Sequence, residues 1–147
     1  MEFTKSTRLK DILNLPCFRQ MNGQFIASGT GDWFQGKEGL SLAELQQQNP
    51  TWYWEDVAYG LTRLQEIALG AEQYVYPVGE GACLIHLPAK NRRYKDYAIL
   101  NAGGAYGAVC TMVEALPTAA KLNELGMDCF CLNYHTATRD SFAEGLM

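Results

Sequence analysis

The run Ala102-Gly103-Gly104-Ala105-Tyr106-Gly107 is the segment best equipped for chemistry. It follows a short apolar stretch, Tyr97 to Asn101, and precedes a helical pattern that continues to about Leu125. A glycine-rich turn between a strand and a helix exposes backbone N–H groups at the carboxyl end of a sheet, where open α/β sheets bind ligands. Glycine also lets the chain approach a ligand closely and adopt dihedrals closed to other residues. Two chemistries use such a turn. One is phosphate binding at a helix N-terminus. The other is the oxyanion hole, in which N–H groups meet the negative oxygen of an acyl-transfer intermediate. The third reading is that Gly103 and Gly104 only shape a tight turn.

Dinucleotide binding fits poorly in detail. It calls for GxGxxG and for an acidic residue at the end of the next strand to hold a ribose. Here the glycines are Gly103, Gly104 and Gly107, and the next strand ends Leu132-Asn133-Tyr134-His135 with no carboxylate.

Other reactive side chains are sparse. No GxSxG elbow occurs. Ser28, within Ala27-Ser28-Gly29, is not in an elbow, and Ser141, after Arg139 and Asp140, reads as a surface serine. The two histidines read as a strand residue, His86, and a strand-end residue, His135. Five cysteines show no CxxC spacing, and Cys129 and Cys131 share one strand face, so they cannot easily bridge each other. They read as buried free thiols of a reducing compartment.

The elements that must position the turn fall into two zones. Residues 1 to 72 read as helical and loop-rich. Leu9, Ile12 and Leu13 share a face of a first helix that Pro16 stops. Ser41 and Glu44 form a capping box flanked by Leu40 and Leu45. Apolar residues from Trp54 to Leu69 recur at helical spacing, with Gly70 as the stop. The Trp52-Tyr53-Trp54 cluster reads as the anchor of that helix on a core rather than as a ligand platform. From Gln73 the period shortens. Tyr74 to Tyr76 and Ala82 to Leu87 read as a hairpin, Tyr97 to Asn101 as a strand buried on both faces, and Met127 to Tyr134 as a further strand. Thr111 and Glu114 are placed to cap the intervening helix, and Pro117 to kink or restart it. Strand, turn, helix and strand make a βαβ unit with a parallel pair.

Composition sets limits on partners. With 48% hydrophobic and 19% charged residues the chain has the balance of a globular protein rather than a disordered one. The net charge is −4, and Lys90, Arg92, Arg93 and Lys95 read as a solvated loop, so nucleic acid and membrane surfaces are not expected partners. The N-terminus carries no apolar signal segment, which places the expected location in the cytoplasm.

The stretch from Tyr97 to Tyr134, YAILNAGGAYGAVCTMVEALPTAAKLNELGMDCFCLNY, resembles the strand, glycine turn, helix and strand of bacterial α/β-hydrolases. The similar branch is that of small esterases and lipases, including acetyl-xylan and feruloyl-type esterases. The GGAY turn, Glu114 and Pro117 before an Ala-rich helix, and a strand ending in Asn-Tyr carry the likeness. An LKDIL-type first helix, a SLAEL helix start and an aromatic helix before the first strand extend it over most of the chain.

That resemblance implies an α/β fold, the N-terminal half of an α/β-hydrolase with its βαβ unit in a mixed, mostly parallel sheet, and hydrolysis of a small carboxylic ester without cofactor or metal. It implies two zones, 1–72 as a helical extension packing on the sheet and 73–147 as a truncated hydrolase core. Gly104 and Ala105 would give the oxyanion-hole N–H groups, and Gly103 and Tyr106 would contact substrate, Tyr106 as an aromatic lining the acyl pocket. Ala102 stands where the family often has His or Pro, so a side chain that braces the loop is missing. The family's nucleophilic Ser, acid and His come later in chain order and are not among these residues. The last strand is therefore expected to lack a neighbour. A C-terminal hydrolase fragment, or a second copy of this chain, is expected to cover the open edge. Two other readings stand beside this one: a non-catalytic interaction module that self-associates, and a nucleotide-binding βαβ domain.

Overall fold

The computed structural model describes residues 1–21, 36–79, 82–104, 107–134 and 136. Among them the helical zone begins with α1 (Leu9–Leu13), and Pro16 opens a 3-10 turn, Pro16–Met21. Leu9 and Ile12 are buried, whereas Leu13, expected beside them, is 40% exposed because the helix ends there and the chain turns away. The capping box forms at the start of α2 (Leu42–Gln48): Ser41 Oγ accepts from Glu44 N–H at 3.3 Å, and the Glu44 carboxylate accepts from Ser41 N–H at 2.8 Å. In α3 (Trp54–Gly70) the residues Val57, Ala58, Leu61, Leu64 and Ile67 face the core, as their spacing requires.

Four strands follow: β1 (Val75–Pro77), β2 (Cys83–Leu87), β3 (Tyr97–Asn101) and β4 (Asp128–Asn133). They form one mixed sheet in the order β1-β2-β4-β3. β1 and β2 make the expected antiparallel hairpin, β2 and β4 are antiparallel, and β3 and β4 are parallel. The described sheet is therefore mixed but not mostly parallel, because the hairpin joins the parallel pair through the antiparallel β2–β4 ladder. The parallel pair is joined by α4 (Ala115–Glu124), which contacts β2, β3 and β4. The class is therefore α/β.

Two further expectations about this sheet are corrected. The last strand does not lack a neighbour: β4 lies between β2 and β3, and the strands with one partner among the described residues are β1 and β3. Nor is β3 buried on both faces. Tyr97 and Ile99 are 60% and 54% exposed, while Ala98 and Leu100 pack against the core. The physical reason is one-sided cover. Cys83, Ile85, Leu87, Cys129, Cys131 and Asn133 are buried on the face under α4. Leu84, His86, Phe130, Leu132 and Ile99 alternate onto the other face, where His86 stacks on Phe130 with ring centroids 4.5 Å apart.

The helix α4 also starts later than its sequence pattern suggests. Thr111 and Glu114 do not cap it: Glu114 holds the N-cap position without a side-chain cap bond. Pro117 sits in the first turn, where its missing N–H costs nothing, so no kink arises. α3 and α4 approach closely at Gly60, where a Cβ would lie 2.9 Å from Pro117 N. A single hydrophobic cluster runs from Phe3 through the helices to Cys131.

Candidate oxyanion turn

The glycine turn leaves the carboxyl end of β3 and reaches α4 through a tightly bonded loop. Gly103 C=O accepts from Cys110 N–H at 3.0 Å, and Gly104 C=O accepts from Gly107 and Ala108 N–H at 3.0 and 3.1 Å. Gly104 has φ +141°, and a Cβ there would overlap the Ala108 carbonyl. Only glycine satisfies both conditions.

Two side chains brace this loop from outside it. The Tyr134 hydroxyl lies 3.1 Å from the carbonyl oxygens of both Ala102 and Ala108. Glu114 Oε2 accepts from Gly103 N–H at 2.5 Å. Just behind, the buried Thr111 hydroxyl donates to the buried Asn133 side chain. Asn133 ends β4 and Tyr134 follows it, so the neighbouring strand anchors the turn. Ala102 itself gives the loop no polar side chain, and these contacts come from Tyr134 and Glu114.

The turn's residues stand in different positions with respect to an oxyanion. Gly104 N–H has no acceptor among the described residues. Gly103 N–H is committed to Glu114. Ala105 and Tyr106 lie outside the described residues, as do His135, Ser28 and Ser141. Glu114, Tyr134, Thr111 and Asn133 were not singled out as turn residues by spacing. By sequence Thr111 and Glu114 read as helix caps, and the family likeness includes Glu114 and the Asn-Tyr strand ending without assigning either to the turn.

Beside the turn is a cleft of about 430 Å³ whose lining includes Trp52, Tyr53, Asp56, Glu114 and Lys121. The Trp52 indole is buried, its N–H without a hydrogen-bond partner, and Tyr53 is 60% exposed at the start of α3. A second cleft, of about 280 Å³, lies at the other end of α4, lined by Tyr59, Arg63, Glu66, Lys90, Asn123 and Glu124 among others. Its polar groups bind each other. Arg63 donates to Asn123 Oδ1 at 3.2 Å, to Glu66 at 3.0 Å and to Pro88 C=O at 2.5 Å. Burial, and then a hydrogen bond with Glu124, push the Tyr59 hydroxyl up to about 12. This is a clasp between helices and strands rather than a reactive constellation.

His86 sits in β2 with its pKa lowered, chiefly by burial. The thiols of Cys129 and Cys131 are raised to about 11 and 12, again mainly by burial, which makes them poor nucleophiles. No cluster of three or more His, Cys, Asp or Glu side chains that could hold a metal occurs among the described residues. No helix among them is long and apolar enough to cross a membrane. No protein-family model, no curated protein and no solved structure matches this chain.

Proposed function

We propose that this chain contributes the oxyanion turn of a serine esterase acting on small carboxylic esters, with the nucleophile, acid and His supplied by a further C-terminal segment or partner. The observation that carries this reading is Gly104 N–H, without an acceptor among the described residues, while the Gly103 N–H and the carbonyls of Gly103 and Gly104 beside it are held by hydrogen bonds. A rigid, unsatisfied donor is what oxyanion stabilisation requires, because it needs no reorganisation when charge develops on the substrate oxygen. The turn also follows the third strand and leads into a helix, the place from which α/β-hydrolases draw one oxyanion donor. Gly104 and Ala105 are the proposed donors, and Tyr106 the proposed acyl-pocket residue.

The test is complementation. The chain alone should hydrolyse p-nitrophenyl acetate no faster than buffer, since an oxyanion hole without a nucleophile gives only residual catalysis. Joined to a segment carrying a GxSxG elbow and the remaining triad, it should turn over. Deleting the Gly104 donor needs care, because φ +141° excludes proline and Gly104→Pro would disturb the loop itself. Replacing that peptide bond with an ester by semisynthesis removes the N–H without adding bulk, and a control with an ester in place of the Cys110 amide accounts for the weakened Gly103 carbonyl that Cys110 N–H donates to. The expected cost is on the order of 10²–10³ in kcat, with little change in KM. Unchanged kcat in the ester-linked form would rule out Gly104 as a donor.

A second reading, a self-associating module, is favoured by the exposed Tyr97 and Ile99 on the edge strand β3. Open apolar edges invite strand pairing. Sedimentation of the chain and of Ile99→Lys decides it: a dimer that the lysine abolishes supports this reading.

A further inference from the structure

The turn already holds a carboxylate. Glu114 Oε2 is 2.5 Å from Gly103 N, in the short range of charge-assisted bonds. Glu114 occupies the N-cap position of α4, yet its side chain does not cap that helix; it reaches eleven residues back instead. No Lys or Arg is ion-paired with Glu114 among the described residues, and Lys121, which lines the same cleft, is paired with Asp56 at 2.6 Å. The carboxylate is therefore held by the peptide N–H and not by a cation. Glu114 is exposed, so other rotamers are open to its side chain and an external anion can compete for the amide. The next amide, Gly104 N–H, has no acceptor among the described residues.

We propose that the oxyanion-binding edge read at Gly104 and Ala105 extends back to the Gly103 N–H, and that the resident internal occupant of this amide is the Glu114 carboxylate, displaced when a carboxylate or an ester-derived oxyanion binds. The contact is autoinhibitory: with Glu114 in place the Gly103 donor is taken, and a small anion meets a like charge beside it. This rests on reading the turn as an oxyanion donor set, and it adds the ligand class, small carboxylates, and the group that competes with them.

The experiment uses the 147-residue chain, ¹⁵N-labelled, titrated with sodium acetate against sodium chloride at matched ionic strength. In the parent chain the Gly103 and Gly104 amide signals should stay where they are. In Glu114→Ala both should move saturably with acetate and not with chloride. Glu114→Gln, which keeps the shape and one acceptor oxygen, should show the same movement at higher acetate and serves if the alanine variant does not fold. Amides that ignore acetate in both variants, or respond equally in the parent chain, overturn the proposal. The readout needs no nucleophile. Ester turnover after complementation with unresponsive amides would sink this proposal and keep the esterase reading; responsive amides without turnover would do the reverse.

Discussion

The Tyr134 hydroxyl, one residue beyond β4, lies 3.1 Å from the Ala108 carbonyl oxygen across the sheet edge in the glycine turn. It shares its single proton with the Ala102 carbonyl, also at 3.1 Å. The geometry of the turn therefore depends on the end of the neighbouring strand. Ala102 and Ala108 are both buried, so removing the hydroxyl leaves carbonyls short of a donor. Tyr134→Phe should cost about 1–3 kcal/mol in urea unfolding. It should also speed hydrogen exchange at the Gly107 and Ala108 amides more than in β2. Uniform exchange across the protein would show that Tyr134 acts on global stability and not on the turn.

The two glycines should tolerate alanine unequally. At Gly104 a Cβ meets backbone, the Ala108 carbonyl, at a φ of +141°. The dihedral alone is worth about 1–3 kcal/mol, and the overlap adds to it. At Gly103 a Cβ would stand 3.1 Å from Glu114 Oε2, the far end of a flexible side chain that can move. Gly104→Ala should therefore be strongly destabilised or fail to fold, while Gly103→Ala stays folded. Similar melting temperatures for the two variants would contradict this arrangement of the loop.

At the other end of α4, Asn123 is buried and donates to the carbonyls of Leu87 and Met127 at 2.9 Å each, while accepting from Arg63. Asn123→Ala strands two carbonyls and a guanidinium donor. A loss of about 3 kcal/mol or more is expected, since each buried group left without a partner costs about 1–3 kcal/mol. Chemical denaturation of the variant measures this, and a loss below about 1 kcal/mol would mean that water replaces the side chain.

His86 makes stability depend on pH. Burial lowers its pKa, and Arg92 lowers it further, while Asp128 on β4 opposes them. The unfolded chain thus binds the proton more readily than the folded one. The stabilisation is complete above the ordinary imidazole value and is lost as pH falls through the lowered folded value, a window that opens below about pH 6.5. Glu66 is lowered, first through its hydrogen bond with Lys90, and so adds its own loss only in the acidic carboxylate range. Urea midpoints from pH 7.5 to about pH 5 should fall in the parent chain and fall less in His86→Phe, which preserves an aromatic ring on Phe130. Parallel curves would remove His86 as the cause.

Much of the architecture was legible because it is local. The capping box at Ser41 and Glu44 is a four-residue pattern whose bonds close within themselves. The apolar spacing of α3 encodes which side of the helix faces a core, and the short apolar runs mark β2, β3 and β4 as strands. The glycines marked the turn between β3 and α4 for the same reason, since a positive φ at Gly104 is a property of one residue.

Periodicity names a face but not a neighbour, and that is where the structure decided. Placing β4 between β2 and β3 is the outcome of pairings such as His86 with Phe130 and Ile99 with Phe130, which join residues far apart in the chain. It made β3 an edge strand in place of β4, and Tyr97 and Ile99 are exposed on it. The same holds at the turn. By sequence Glu114 could serve its own helix, and Tyr134 was only the end of a strand. Their hydrogen bonds to Gly103, Ala102 and Ala108 exist because α4 and β4 converge on the carboxyl end of β3, a convergence set by burial of the shared core and not by any local pattern.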